Sequence, residues 1–345
     1  MNKKQCLKIA AFLLLVILVL FLLSLVFNNA DASTVSRLRT YTELDADSVD
    51  AVYIGTSGVH RYWVPGYAYH NYGLTVYPRT VKGCRAWHVL TLVRYAYKYQ
   101  SPRLVIVDCR PFVSETSDDY AERNSRFFSE SLPWSSPFRY QAILRTVKYS
   151  SQFPEGTAPK ISFWLPIFRY HDRWSTGINT SYFTRERTKS LGYLISMKTK
   201  PMPESTYSTE SEEISWFAKE CLDELLKYSA DNGIHLLFVD SPRYINEKRS
   251  KQANWFYAYL EQKGIPCFEL CSEGKLEDYG IDRTADFKDK LHMNYLGAQK
   301  YTGILSEYLL ENYDFKDRRA DNLEAWEGAY EKFLKDIENH EEQED

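Results

Sequence analysis

The sequence predicts an α/β domain in which a mostly parallel β-sheet carries helices on both faces, as a three-layer αβα sandwich. Two observations favour this fold class. After about residue 50, short apolar runs alternate with longer segments of helical periodicity. The apolar runs are nearly continuous, which is typical of parallel strands that are buried on both faces. The length of 345 residues and the apolar content of 44% suffice for a large core.

Four apolar runs are predicted strands, and two longer segments are predicted crossover helices. The strands are 51–54, 104–107, 236–239 and 267–270, and the helices are 87–99 and 214–228. In the helices, apolar residues recur every three to four positions, as at Trp87, Leu90 and Val93. Each strand-helix-strand unit should be right-handed, which brings the carboxyl ends of the strands to one edge of the sheet.

The N-terminal segment predicts a membrane anchor. Residues 9–27 contain no charge, and roughly 20 apolar residues suffice to span a bilayer as a helix. Lysines at 3, 4 and 8 precede this segment and acidic residues follow it, so residues 1–8 are predicted to be cytoplasmic and the rest extracytoplasmic. A cleaved signal peptide ending at Ala30-Asp31-Ala32 is the alternative, but the apolar segment is longer than a typical signal core.

The remaining chain divides into four predicted parts. They are a polar connector at 28–50, the α/β domain at 51–315, an insertion at about 112–210 within that domain, and a C-terminal amphipathic helix with an acidic end at 316–345. The insertion breaks the strand and helix rhythm and is rich in polar and aromatic residues. Long insertions of this kind often form the rim of a site, so we expect a lid or subdomain there.

The overall charge and the motifs exclude several function classes. A formal net charge of −3 does not favour nucleic-acid binding. The chain has neither a Gly-rich phosphate loop nor clustered carboxylates, which argues against phosphoryl transfer. Cys267 and Cys271 lack a second Cys or His pair near them in sequence, so no metal site is predicted. We expect no cofactor and no nucleic-acid partner.

Three residues at two remote positions form a candidate nucleophilic site. Ser57 follows the first strand in Gly55-Thr56-Ser57-Gly58, at the edge where parallel sheets bind ligands. Asp289 and His292 lie in Asp-Lys-Leu-His, on a predicted loop before the helix 296–310. A serine hydroxyl becomes a good nucleophile when a histidine takes its proton and a carboxylate orients that histidine. The alternatives are a simple tight turn at Ser57 and a helix cap at Asp289.

These two blocks carry a resemblance to a known family. Gly55-Thr56-Ser57 and Asp289-Lys290-Leu291-His292 resemble the serine and Asp-x-x-His blocks of the SGNH/GDSL-type hydrolase superfamily, which has a flavodoxin-like sandwich. Residues 170–174, 232–239 and 292–298 are similar to its membrane-anchored cell-surface branch in Gram-positive bacteria, distantly akin to the teichoic-acid D-alanylation protein DltD and to alginate O-acetylation proteins. The resemblance implies acyl transfer to or from a cell-surface carbohydrate polymer, and a membrane-bound O-acyltransferase as a candidate partner.

The chain departs from that family near the predicted oxyanion hole. Relatives commonly have a histidine where this chain has Gly58, and residues 78–83 replace their usual glycine-rich segment. The predicted oxyanion donors are the backbone N–H groups of Ser57 and Gly83, with Arg79 as a substitute donor. Loss of one such donor costs roughly 100-fold to 1000-fold in rate.

Four further residues are predicted to bind substrate. His171 and Arg173 lie in the insertion and His60 and Arg61 lie just after the serine; the alternative for each pair is a structural histidine and a structural ion pair. The sequence therefore predicts an extracytoplasmic serine O-acyltransferase or esterase that acts on a surface polysaccharide or a teichoic-acid-like polymer. A catalytically inactive accessory protein that binds such a polymer or an acyl-exporting membrane partner is the alternative.

Overall fold

A computed structural model describes residues 2–113, 120–153, 160–175 and 177–344. It contains a five-stranded sheet in which every pair of neighbouring strands is parallel, in the order β2-β1-β3-β4-β5. The strands are β1 Ala51–Gly55, β2 Val76–Thr80, β3 Leu104–Asp108, β4 His235–Asp240 and β5 Cys267–Glu269. A separate antiparallel hairpin consists of β6 Phe287–Asp289 and β7 His292–Met293. The prediction of an α/β fold with a parallel sheet is confirmed.

Strand β2 was absent from the predicted strands, and its sequence explains why. Pro78 and Arg79 interrupt the apolar run Val-Tyr-Pro-Arg-Thr, which therefore lacks a strand pattern. The strand pairs with β1 on one side only, with Pro78 opposite Tyr53. Proline is tolerated on an edge strand because its missing N–H faces no partner.

Fifteen helices are described around this sheet. The N-terminal group is α1 Lys3–Ser24, α2 Ala32–Thr42, α3 Val59–Tyr62, α4 Pro65–Tyr72 and α5 Ala86–Tyr99. The middle group is α6 Arg110–Val113, α7 Ala121–Ser131, α8 Pro137–Lys148, α9 Ile161–Trp164 and α10 Ile167–Tyr170. The C-terminal group is α11 Trp216–Asp231, α12 Glu247–Gln262, α13 Lys275–Asp278, α14 Tyr295–Asn312 and α15 Glu324–Glu344.

The side chains of the strands alternate between two apolar clusters. Val52, Ile54 and Val105 belong to a cluster that includes residues of α5, α8 and α11, whereas Tyr53 and Ile106 belong to a second cluster that includes residues of α14. Because successive strand residues point to opposite faces, each cluster lies on one face of the sheet. The continuous apolar runs in the sequence result from this burial on both faces.

Both ends of the described chain are helical. Helix α1 is long and apolar enough to cross a membrane, and α2 lies in the predicted connector. Helix α15 packs against α4, with Trp326 and Phe333 buried. The predicted insertion at 112–210 contains α7, α8, α9 and α10, of which α8 packs on α5; residues 114–119, 154–159 and 176 of the insertion lie outside the described residues.

Candidate active site

The structure brings Ser57, His292 and Asp289 together at the carboxyl edge of the sheet. Ser57 Oγ lies 2.9 Å from His292 Nε2. On the other side of the ring, His292 Nδ1 lies 2.9 Å from Asp289 Oδ1 and 3.1 Å from Oδ2. These distances are within hydrogen-bond range. The three groups therefore form a continuous hydrogen-bonded chain from hydroxyl to imidazole to carboxylate.

A short hairpin holds the histidine and the aspartate opposite each other. Asp289 at the end of β6 pairs with His292 at the start of β7, and Asp289 Oδ1 also accepts a 2.8 Å hydrogen bond from the backbone N–H of Leu291. The sequence pattern predicted a loop before a helix for these residues. The hairpin is more restrictive, because the register between its strands fixes which side chains face each other.

The tip of this hairpin is attached to the body of the domain through backbone carbonyls. The carbonyl of Leu291 lies 2.9 Å from the Tyr62 hydroxyl and accepts a 3.0 Å hydrogen bond from Arg110 Nη1. The carbonyl of Lys290 accepts a 2.8 Å hydrogen bond from the N–H of Tyr244. Tyr62 belongs to α3, the helix that follows Ser57. The hairpin that carries the imidazole is thus fixed to the element that follows the nucleophile.

Electrostatics keep the imidazole neutral and the carboxylate charged. Burial lowers the pKa of His292 below its ordinary value, and the charges of Arg110 and Arg61 lower it further, against the opposing effect of Asp289. Partial burial acts to raise the pKa of Asp289, but its hydrogen bond and charge interaction with His292 and the Leu291 N–H hold that pKa at about 2. Neutral imidazole is the form that accepts a proton from a hydroxyl.

Arg110 is a residue of this site that the sequence analysis missed. Its side chain is buried, and besides the Leu291 carbonyl it donates to Ser241 Oγ and to the carbonyl of Pro242. A Cβ on Gly58 would lie 2.0 Å from Arg110 Nη1. A residue larger than glycine at position 58 would therefore collide with the Arg110 guanidinium. The one signal in the sequence is the position of Arg110 directly after a strand end.

A buried carboxylate supports the loop that carries the serine. Asp108 Oδ2, at the end of β3, accepts a 3.0 Å hydrogen bond from the Thr56 hydroxyl, and Asp108 Oδ1 accepts one of 3.3 Å from the N–H of Arg110. Burial raises the pKa of Asp108, although the charges of Arg110 and Arg243 oppose this shift. Asp108 thereby connects the strand end before Ser57 to the arginine that holds the hairpin.

The structure corrects the assignment of Arg79 as an oxyanion donor. Arg79 is buried, and its guanidinium lies 4.3 Å from the ring centre of Tyr41 and 4.2 Å from that of Tyr95. It sits opposite Ile54 in the register of β1 and β2, and Tyr41, Tyr95 and Ile54 belong to the same cluster. Its side chain therefore packs on the face of α5, and the sequence pattern of β2 gave no indication of that face.

Gly83, the other predicted donor, lies in the turn after β2. That turn begins beside the serine loop, because the N–H of Val81 donates to the carbonyl of Gly55. The side-chain amide of Asn124, on α7, lies against Gly83: a Cβ at Gly83 would be 2.2 Å from Asn124 Nδ2. Asn124 is in the insertion and was not identified from the sequence, since a single asparagine in a polar segment carries no pattern.

His60 and Arg61 follow the serine but have different surroundings. His60 is buried and its Nδ1 lies 2.9 Å from Thr80 Oγ1. Burial lowers the pKa of His60 well below its ordinary value, so this histidine is a neutral structural residue and not a substrate ligand. Arg61 is half-buried, donates to the Leu194 carbonyl at 3.4 Å and interacts electrostatically with Asp289. Arg61 thus remains a candidate for substrate binding.

His171 and Arg173 lie at the end of the apolar helix α1. Arg173 Nη1 donates a 3.1 Å hydrogen bond to the carbonyl of Asn28, and its guanidinium lies 4.0 Å from the ring centre of Tyr170. His171 is exposed. The structure therefore assigns this pair to the junction between α1 and the insertion, instead of the predicted mouth of the cleft. The sequence could not place the insertion relative to α1.

No protein-family model and no curated protein match the sequence. Among solved structures, the chain is similar to one described as a gut microbial diltiazem-metabolizing enzyme, with 15% sequence identity and a TM-score of 0.23. The match covers 78% of this chain and 49% of that one, so this chain spans about half the length of that relative. The function is therefore inferred from the geometry of the site.

Proposed function

We propose that the protein is a membrane-anchored serine O-acyltransferase or esterase of the SGNH/GDSL type. The hydrogen-bonded chain Ser57, His292 and Asp289 is the observation that carries this proposal. Its support is that an accessible alcohol, a neutral imidazole and a charged carboxylate, in this order and at these distances, are the parts of an acyl-transfer site. Helix α1 would be the anchor, with the domain outside the cell as in the Gram-positive surface proteins that the sequence resembles.

In the proposed first half-reaction, Ser57 Oγ attacks the carbonyl carbon of an ester donor while its proton passes to His292 Nε2. The bond between that carbon and the donor alcohol then breaks, and the alcohol leaves with the proton from His292. In the second half, a sugar hydroxyl or water gives its proton to His292 and attacks the acyl group on Ser57. The serine recovers its proton as the new ester or acid leaves. Asp289 stabilises the imidazolium in both halves.

The oxyanion of each tetrahedral intermediate needs donors near Ser57. We assign the backbone N–H groups of Ser57 and Gly83 to this role, together with the side-chain amide of Asn124 that lies against Gly83. Asn124 takes the place that the sequence analysis gave to Arg79. An amide is a suitable donor here because it is neutral and its nitrogen carries two N–H groups.

The proposed substrate is a cell-surface polysaccharide or a teichoic-acid-like polymer, which the family resemblance suggests. The segment 194–202 of the insertion is the proposed rim of the site. It is attached on both sides of the triad: the N–H of Leu194 donates to His60 O, and the N–H of Lys200 donates to Phe287 O. The two apolar clusters on opposite sheet faces support the three-layer arrangement of that family. A membrane-bound O-acyltransferase is the proposed partner.

A fluorophosphonate probe on the full-length protein in detergent tests the enzymatic proposal. Wild type should be labelled covalently, and the label should disappear in Ser57→Ala. Ser272→Ala is the matched control, since Ser272 is also half-buried but lies outside the site, and it should label as wild type does. Probe labelling that persists in Ser57→Ala, or none in wild type, would contradict the proposal.

A non-catalytic accessory protein is the second candidate, and the position of Arg79 favours it. With its guanidinium held between Tyr41 and Tyr95, Arg79 cannot replace the oxyanion segment that relatives have. The two candidates are separated by measuring polymer binding beside probe labelling. Binding of purified wall polymer without any labelling would identify the accessory role.

A further inference from the structure

One side of the last turn of α1 packs against the insertion, whereas the preceding turns of that helix are exposed. Residues Leu20, Leu23, Val26 and Phe27 form one apolar cluster with Leu165, Ile167 and Tyr170. Ring contacts extend it: Phe27 lies 4.4 Å from Trp174 and Phe21 lies 4.8 Å from Trp134. We call residues 167–175 and 177–179, which pack against one side of the end of α1, the exit collar.

Hydrogen bonds fix the exit collar to the chain that leaves α1. Arg173 Nη1 donates to the carbonyl of Asn28. Asn179 Nδ2 donates to the carbonyls of Asn28 and Ala30 at 3.2 and 2.9 Å, and the Asn179 N–H donates to the carbonyl of Val26 at 2.8 Å. These hydrogen bonds therefore fix the position of the exit collar along the axis of α1, next to the end of the helix.

The length of the apolar segment determines where the exit collar lies relative to the boundary of the hydrocarbon core. Lys8 is the last charged residue before the apolar segment. From Ile9 onward, roughly 20 residues at about 1.5 Å each cross the hydrocarbon core, which brings its outer boundary close to Phe27 and Asn28. Groups that contact Phe27 and Asn28, which are Trp174, Arg173 and Asn179, then lie at the level of the lipid headgroups of the outer leaflet.

The exit collar exposes large apolar side chains at that level. Trp174 is 68% exposed, Ile178 is 56% exposed and Phe168 is 42% exposed. Arg169 beside them is also exposed, and its Nε lies 3.3 Å from Glu122 Oε1 on α7. Tryptophan and other aromatic residues favour the interface between hydrocarbon and water, and cationic side chains there meet lipid phosphates.

We propose that the exit collar is a membrane-contact surface that inserts Trp174, Phe168 and Ile178 into the headgroup region of the outer leaflet. The occupant of this surface is the lipid bilayer itself, because the exit collar lies directly beside the end of α1. The domain is then seated on the membrane and not suspended from a free linker. The proposal depends on α1 as a membrane span and is independent of the serine chemistry.

Site-directed fluorescence on the full chain in liposomes tests this proposal. The starting variant carries Cys6→Ser and Cys267→Ser, since the other four cysteines are buried. An environment-sensitive fluorophore is attached at Trp174→Cys, and at Trp216→Cys as the matched control. Trp216 is 60% exposed but lies on α11 and contacts Tyr149 and Phe217.

The label at 174 should shift to shorter emission wavelength, be quenched by doxyl lipids and resist aqueous iodide. The label at 216 should be quenched by iodide and ignore the lipid quencher. Equal behaviour at both positions would overturn the proposal, and so would iodide resistance at 174 without lipid quenching, which would indicate a second copy of the chain.

A measurement on the unmodified chain guards against effects of the substitutions. A lipid with a photoactivatable headgroup, included in the liposomes, should form adducts on peptides that contain Phe168, Trp174 or Ile178. Peptides that contain Trp216 should carry none. Adducts confined to α1, or spread evenly over both regions, would contradict a lipid-facing exit collar.

Discussion

At the carboxyl edge of the sheet, Ser57, His292 and Asp289 are aligned by hydrogen bonds of 2.9 Å. The exit collar instead exposes large apolar side chains to solvent. The first region uses buried groups such as Arg110 to fix single atoms. The second consists of exposed side chains beside the end of α1, which we propose meet the membrane. Single substitutions should therefore change rates strongly at the sheet edge, and should change only membrane contact at the exit collar.

The largest loss of kcat is expected from a substitution of Asp289. Asp289→Asn keeps the size of the side chain but no longer holds the His292 Nδ1–H, so kcat for a chromogenic acetyl ester should fall roughly 10⁴-fold. Trp174→Ser, at the exit collar, should leave that rate unchanged. Similar rates for Asp289→Asn and wild type would show that the imidazole needs no orienting carboxylate.

The second largest effect is expected at Asn124. Asn124→Ala removes the amide beside Gly83, and kcat should fall about 100-fold to 1000-fold if this amide binds the oxyanion. Labelling of Ser57 by a probe that lacks a carbonyl should slow less. Asn71→Ala, a substitution of an exposed asparagine on α4, is the control, and an equal loss in both variants would reject the assignment.

Arg110→Lys should also lower kcat, by a smaller factor. Lysine keeps the charge near Asp108 but loses the fork that holds the Leu291 carbonyl, and a small displacement of the hairpin costs about 100-fold in kcat. KM should change little, because Arg110 positions the base and does not contact substrate. Arg243→Lys, an equally buried arginine paired with Asp240, should lower the melting temperature without this loss of kcat.

The smallest effect is a shift in pH dependence. The active form has neutral His292, so kcat/KM should rise with pH through the pKa of His292, reach half its maximum below the ordinary value of 6.5 and then stay flat. Arg61 lowers that pKa, so Arg61→Gln should move the midpoint to higher pH. Arg39→Gln, a change of an arginine that pairs with Glu43, should not; a midpoint above 6.5 in wild type would contradict the assignment.

The sequence predicted local patterns well and tertiary placement poorly. The apolar runs of β1, β3 and β4 were evident because burial on both faces leaves a nearly continuous pattern. Ser57 and the Asp-x-x-His block were identified because both chemistry and spacing are local. Pro78 concealed the strand β2 in the sequence pattern. A proline is tolerated there only because β2 is an edge strand with a neighbour on one side, which the sequence does not reveal.

The residues that were misplaced or missed have one property in common. Their roles depend on elements that are far away in the sequence. Arg79 packs between rings contributed by α2 and α5. Arg110 is explained only by the carbonyl of Leu291 and the space over Gly58. Arg173 is explained by the end of α1. No periodicity within a short window contains such information.

The order of the elements along the chain has a consequence for synthesis. Ser57 and His292 are separated by 235 positions, and all five strands of the sheet precede the hairpin of β6 and β7. A domain that emerges from its N-terminus can assemble its sheet while the serine still has no base beside it. The Ser57 hydroxyl acquires its hydrogen-bond partner only when the last part of the domain docks, so the three groups of the site align only near the end of folding.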